Sequence, residues 1–289
     1  MDVAGWLVEP FTHDDMRLAL AAALTAAVVC GVLSCWVVLL GWSLMGDAVS
    51  HAVLPGIVIA SLLGTPFAVG AVLFGLLAVA LIAVARSTSR VRPDAATAVV
   101  LTTMFALGLV LAALTPSRRG WEHVLFGDLL GIGVADLIQI VVLGAITLAV
   151  VLVKRRDLVL HAFDPAHAGA IGLSLRGLGV LLLVLLTLAT VVAVPTVGVV
   201  LALALVVVPG ATAYLLTDRF AAMLVLAPAL AAASAVIGLY ASYRTGTPPG
   251  GTIVLTMGVL FALAYLFAPA QGVVPRFLRH RAAVMAEVA

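Results

Sequence analysis

Apolar residues fall in long runs along the chain instead of alternating with polar ones. Nine such runs stand out, at 17–40, 43–64, 66–86, 94–114, 133–153, 175–194, 196–216, 221–242 and 251–268. A helix of about 20 apolar residues matches a hydrocarbon layer about 30 Å thick. Lipid also leaves no alternative for a continuous apolar run, because only a helix satisfies its own backbone groups there. The pattern therefore predicts an all-α polytopic membrane protein with about eight to nine transmembrane helices. The corners at 41–45 and 64–66 and the break at Pro195 are very short, so one pair of runs could be a single broken helix. The longest polar connections, 154–174 and 269–289, are too small for a soluble domain, so residues 1–289 form one membrane domain.

Composition sharpens this reading. Of 289 residues, 64% are hydrophobic and 10% are charged, against about 25% charged in an ordinary soluble domain. So few ionic groups exclude a soluble enzyme, and a net charge of +2 gives no footprint for nucleic acid. Cys30 and Cys35 sit five apart within the first run and are expected to be small buried hydrophobes. Acidic residues precede the first run, so no cleavable signal peptide is expected and the first span directs insertion. With spans alternating, eleven of the fifteen Lys and Arg fall on the side of 154–174 and the C-terminus. By the positive-inside rule that side is cytoplasmic, and nine spans would place the N-terminus outside.

Among so few charges, those inside apolar runs carry the most information, since each costs roughly 2.5–3.5 kcal/mol at a helix centre. The outstanding segment is Ser43 to Gly56, SLMGDAVSHAVLPG. Asp47 and His51 are four apart, which puts both on one helix face. A carboxylate and an imidazole so placed can share a divalent cation and leave positions for a partner chain or water. Ser50 adds a weak oxygen donor, and Pro55 with Gly56 is expected to bend or break the helix and free carbonyls nearby. Two other readings stay open: a hydrogen-bonded pair that only stabilises packing, and a proton relay.

Three further segments stand out. In WEHVLFGDLLG, at 121–131, Glu122, His123 and Asp128 either line a re-entrant entry path or are ordinary residues, the first two solvated and Asp128 a helix cap. Asp136 opens the next span as a partner for its N-terminal dipole. In the 154–174 connection, Asp164-Pro165 is a strong helix start followed by small residues through Gly172, a smooth surface that could sit in a groove on another protein or be a plain turn. His161 and His167 there are assigned nothing. In VGVVLALALVVVPGATA, at 197–213, Pro209-Gly210 marks a kink, with small residues that allow close helix approach. The turn at 245–251, TGTPPGG, is assigned nothing more. Absences also discriminate: there is one lysine and no GxxxxGK[ST] run, so this chain has no P-loop for ATP, and no HExxH for a zinc protease.

Taken together, the runs at 43–56, 123–131, 164–172 and 197–213 resemble, in order, the manganese/zinc/iron-type ABC permeases, the membrane subunits of bacterial divalent-metal importers. The resemblance implies a type II-like importer permease in the bacterial plasma membrane, surrounded by lipid and working as a homodimer. A cytoplasmic ATP-binding subunit would hydrolyse the ATP, and an extracellular lipoprotein would deliver the metal. No permanently bound cofactor is implied, only a transported ion, with Mn²⁺ ahead of Zn²⁺ and Fe²⁺. The positions matching Asp47 and His51 are metal-coordinating ones in the family. Ser50, Pro55, His123, Asp128 and Pro209 are candidates for the pathway or gate. The segment of about 157–175, with Asp164, Pro165, Ala168, Gly169 and Gly172, resembles the coupling helix that docks on the ATPase. The family's usual eight spans bear on the count of nine.

A two-ligand site in each subunit, completed across a dimer axis, would bind an ion less tightly than a closed four-ligand site, as release requires. Oxygen and nitrogen donors without thiolate suit Mn²⁺, Fe²⁺ or Zn²⁺ better than Cu⁺. The rivals from other classes are a stand-alone proton-coupled carrier, using Asp47 and His51 as the relay, and a membrane scaffold or enzyme that moves nothing.

Overall fold

The computed structural model describes residues 9, 13–88, 90–115, 125, 127–268 and 272–275. Within them the chain is helical throughout: α1 Asp14–Leu39, α2 Ser43–Leu63, α3 Phe67–Thr88, α4 Pro93–Leu114, a 3-10 turn Leu129–Gly131, α5 Val134–Phe163, α6 Pro165–Ala170, α7 Leu175–Val197, α8 Val199–Leu216, α9 Phe220–Thr245 and α10 Pro249–Phe267. Eight of these helices are long and apolar enough to cross a membrane; α8 is a shorter apolar helix. Every apolar run expected from the sequence is thus a helix, with eight full-length spans and one shorter.

The differences lie at prolines and at the polar end of α5. A break expected at Pro195 does not occur there. The helix continues to Val197, and the chain turns at Gly198, whose φ of 83° most side chains avoid. Likewise α2 and α8 run through Pro55 and Pro209 without interruption, so neither residue ends its helix. A proline within a membrane helix removes one backbone bond but is tolerated where packed neighbours surround it. At Pro55 the carbonyl left without its helical N–H is that of His51, four residues earlier. The α5 helix extends ten residues past the expected end at 153. Its 30 residues measure about 45 Å, longer than the hydrocarbon layer, so Lys154, Arg155 and Arg156 lie along the helix and not in a loop.

Small residues decide how the helices meet. The α1 helix packs on α5, α7, α8 and α9 and sits at the centre of one group. A Cβ on its Gly31 would lie 2.6 Å from Pro228 Cα of α9, and one on Gly210 of α8 would lie 2.5 Å from the Ser34 carbonyl of α1. Such backbone-to-backbone approach replaces the hydrophobic drive that lipid cannot supply. The closeness expected of Pro209-Gly210 is therefore realised against α1.

A second group is formed by α2, α3 and α4, with α2 touching both α3 and α4 extensively. Gly56 supports it, since any Cβ there would collide with the backbone of Gly70 in α3. Along the α2–α4 seam, Met45 meets Thr97, His51 meets Phe105, and Leu54 fills the space at Gly108. Both numbers rise together, so the two helices run parallel. That is the direction expected of spans two crossings apart. Both α7 and α8 touch the two groups and join them.

Candidate functional site

Asp47 and His51 lie in the first half of α2, where helical spacing stacks them on one face. His51 Nδ1 is 3.2 Å from Asp47 Oδ1 and 3.0 Å from the Asp47 carbonyl oxygen. Their side chains are 28% and 16% exposed for Asp47 and His51 respectively, although α2 is otherwise mostly buried. The pair therefore opens from a packed helix onto an accessible face. The His51 ring also meets Phe105 of α4 nearly edge-to-face, with centroids 4.7 Å apart and planes at 81°. Neighbouring Gly46 faces Leu203 and Val206 of α8, so α4 and α8 both approach this stretch of α2.

With Nδ1 engaged by Asp47, the nitrogen left for a ligand is His51 Nε2. Asp47 keeps Oδ2 and the remaining lone pairs of Oδ1. That is a two-ligand arrangement, and no group of three or more His, Cys, Asp or Glu suited to a metal occurs among the described residues. Two ligands leave a cation site open, and its remaining positions would be filled by water, a second molecule or groups beyond the described residues.

The other pathway candidates do not gather here. Ser50 is fully buried, and its hydroxyl donates to the Gly46 carbonyl at 2.8 Å, within its own helix. Pro55 and Gly56 are buried in α2, where Gly56 serves close packing on α3. Pro209 lines a small recess between α8, α9 and α10 to which neither α2 nor α4 contributes. Asp128 caps the 3-10 turn, its Oδ1 accepting from the Gly131 N–H at 3.1 Å, which is the capping arrangement weighed from the sequence. Just before it, Gly127, with φ of 81°, would bring a Cβ within 2.7 Å of the Gly198 N. The GDLLG run thus clips the α7–α8 turn in place, with Leu129 fully buried. Asp136 likewise accepts from the Gly133 N–H at 3.3 Å, at the start of α5. Glu122 and His123 lie outside the described residues.

The coupling candidate is a helix, as its first two residues predict. Asp164 Oδ1 accepts from the His167 N–H at 2.9 Å, and Pro165 occupies the first turn of α6. Asp164, Pro165, Gly169 and Gly172 are exposed, whereas Ala168 is fully buried and offers a partner nothing. Gly172 ends the segment with φ of 84°.

A connection absent from the sequence reading starts beside α6. Phe163 meets Phe220 of α9 at 5.7 Å, and Phe220 meets Trp36 of α1 at 5.1 Å, both edge-to-face. His161 and Trp42 both come within 4.0 Å of where a Gly179 Cβ would sit in α7. Trp42 is also the residue from which α2 begins. The end of α5, which leads directly into 164–172, is thereby packed through aromatic rings to the central helix, and it lies close to Trp42 at the corner that leads to Asp47. No local signal announces these contacts, because the residues are far apart in the chain.

Comparison with known proteins agrees with this architecture. Residues 12–268 match the pattern of the ABC 3 transport family. The chain is 44% identical over 276 residues to the manganese transport system membrane protein MntB of Synechocystis, covering 96% of this chain and 90% of that one. It is 39% identical to the chelated iron transport system membrane protein YfeC of Yersinia pestis, covering 95% of this chain and 94% of that one. Among solved structures, PsaBC from Streptococcus pneumoniae in complex with Fab superposes with a TM-score of 0.89 at 33% identity, covering 96% of this chain and 99% of that one. A family match over most of the length, with the same fold, leaves one conclusion: the chain belongs to the ABC 3 transport family, the membrane permeases of manganese and iron ABC transport systems.

Proposed function

We propose that this permease imports Mn²⁺, that Asp47 and His51 are its metal ligands, and that two copies together complete the site. The observation that carries the reading is the pair itself: a carboxylate and an imidazole 3.2 Å apart, on the accessible face of a buried, apolar helix. A structural pair has no need of that opening, and a charge inside a span is normally kept for a cavity or a partner. Two ligands from each of two copies give four, mixed oxygen and nitrogen, around one ion. Such a set serves Mn²⁺ well and also accepts Fe²⁺ and Zn²⁺. The names of the relatives, one a manganese and one a chelated-iron system, support the same group of ions.

On this reading the cytoplasmic ATPase docks at the exposed part of 164–172, and a metal-binding protein delivers the ion on the opposite side. The excess of basic residues beside 154–174 supports placing that segment and the C-terminus in the cytoplasm. ATP binding would shift α6, and the aromatic contacts at Phe163, Phe220 and Trp36 would carry the shift to α1. The test is uptake into vesicles holding the permease with its ATPase and binding protein, with Mn²⁺, Zn²⁺ and Fe²⁺ in competition. ATP-dependent Mn²⁺ uptake that Asp47→Ala abolishes is the expected result. Uptake without ATP that follows a proton gradient would overturn the reading and make the pair a relay.

A further inference from the structure

We propose that Phe105 is the positioning residue of the metal site, fixing the His51 ring so that Nε2 is held ready for the ion; the proposal rests on Asp47 and His51 being the ligands. An imidazole on a half-open helix face can rotate about two side-chain bonds. Asp47 restrains it at one point only, through the contacts at Nδ1. A hydrogen bond to one atom leaves the ring plane free to swing about that atom. The Phe105 ring, 4.7 Å away at 81°, supplies the second restraint, in the geometry aromatic pairs favour. Point and plane together leave one orientation.

The α4 backbone places Phe105 where this is needed. One turn further on, Gly108 has no side chain, and Leu54 of α2 occupies the space; a Cβ there would lie 2.8 Å from the Leu54 side chain. At the other end of the seam the Thr97 hydroxyl donates to Met45 Sδ at 3.6 Å. The ring of Phe105 thus sits between two fixed points of a parallel helix pair. A weak site has most to gain from such preparation. With only two ligands from each chain, any freedom His51 retains must be given up on binding, at the expense of affinity.

The experiment measures Mn²⁺ binding by equilibrium dialysis to the permease–ATPase complex in lipid nanodiscs, for wild type, Phe105→Leu, Phe105→Tyr and Asp47→Ala. Leucine keeps apolar bulk against α2 but has no flat ring edge; tyrosine keeps the ring. Phe105→Leu should weaken Mn²⁺ binding by on the order of tenfold, as loss of an orienting partner does at other metal sites. Phe105→Tyr should restore it. The thermal midpoint of Phe105→Leu should match that of Phe105→Tyr while its affinity does not; a merely structural role would lower stability and affinity together. Wild-type affinity in Phe105→Leu, or equal weakening in Phe105→Tyr, would overturn the inference. Asp47→Ala separates the two levels: if it abolishes binding while Phe105→Leu binds normally, only the role of Phe105 falls. If Asp47→Ala, or a wild type that binds no Mn²⁺ at all, shows the pair is not the site, both readings fall.

Discussion

Helices α1 and α2 are buried alike: 67% of the most apolar stretch of each lies inside the protein, against 17% for α4. Their buried contents differ. From Met16 to Val37, α1 presents mainly Ala, Gly, Val and Cys to four neighbouring helices, and its charged side chains, Asp14, Asp15 and Arg17, all lie at its start, with Arg17 paired with Asp14 at 3.6 Å. In α2 the same degree of burial surrounds an acid and an imidazole that together keep one face accessible. The contrast teaches that burial by itself marks scaffold. On the proposed reading, function lies with polar groups that a buried helix retains and does not cover.

That contrast can be broken experimentally, beginning with its strongest consequence. Asp47→Ala should eliminate ATP-dependent Mn²⁺ uptake while the permease still assembles with its ATPase and keeps its thermal midpoint. A drop in assembly would instead make the pair part of the scaffold. The converse change is Gly31→Ala, which forces a methyl group to within 2.6 Å of Pro228 Cα. Overpacking of this kind costs about 1–3 kcal/mol. The thermal midpoint should fall, yet the Mn²⁺ concentration for half-maximal uptake in the surviving protein should not change. Should that concentration rise as well, α1 and the site would not be separable.

Asp164→Ala removes the side-chain cap of α6, worth about 1 kcal/mol. It should lower the number of ions moved per ATP hydrolysed, with Asp164→Asn, which can cap, restoring most of it. Equal loss in both variants would assign Asp164 to direct contact with the ATPase. The smallest effect is expected at Ser50. Its hydroxyl already bonds within α2, so Ser50→Ala should leave uptake within about twofold of wild type, the loss of one such hydrogen bond being modest. A large loss of uptake would return Ser50 to the metal pathway.

Several of these features are legible in the chain because their causes are local. Asp164-Pro165 announces a helix start through one side chain and one ring, and α6 begins there. Asp47 and His51 share a face because four residues make roughly one turn of any helix. The role of Asp128 could be posed from the sequence as cap or pathway residue, and its hydrogen bond to Gly131 is that of a cap. Ser50 is less legible. Spacing puts it near the pair, but a serine in a helix can bond back to the carbonyl four residues earlier, and here it does. Pro195 signals an end to the sixth span, whereas neighbouring helices support that proline and the turn falls to Gly198, clipped by Gly127.

The order of residues alone specifies a set of membrane-spanning helices, roughly where each begins and ends, and a polar pair on one face of α2. Continuous apolar runs and i, i+4 spacing suffice for that, because lipid leaves the backbone no other way to satisfy its hydrogen bonds. Packing in three dimensions settles which helix is central, which backbone Gly31, Gly56 and Gly210 approach, and that Phe105 meets His51 while Phe220 bridges Phe163 and Trp36. In water, a helix writes its buried face into its sequence as an apolar stripe. In lipid the outward face must be apolar as well, so the distinction between inside and outside is lost from the pattern and emerges only when the helices pack.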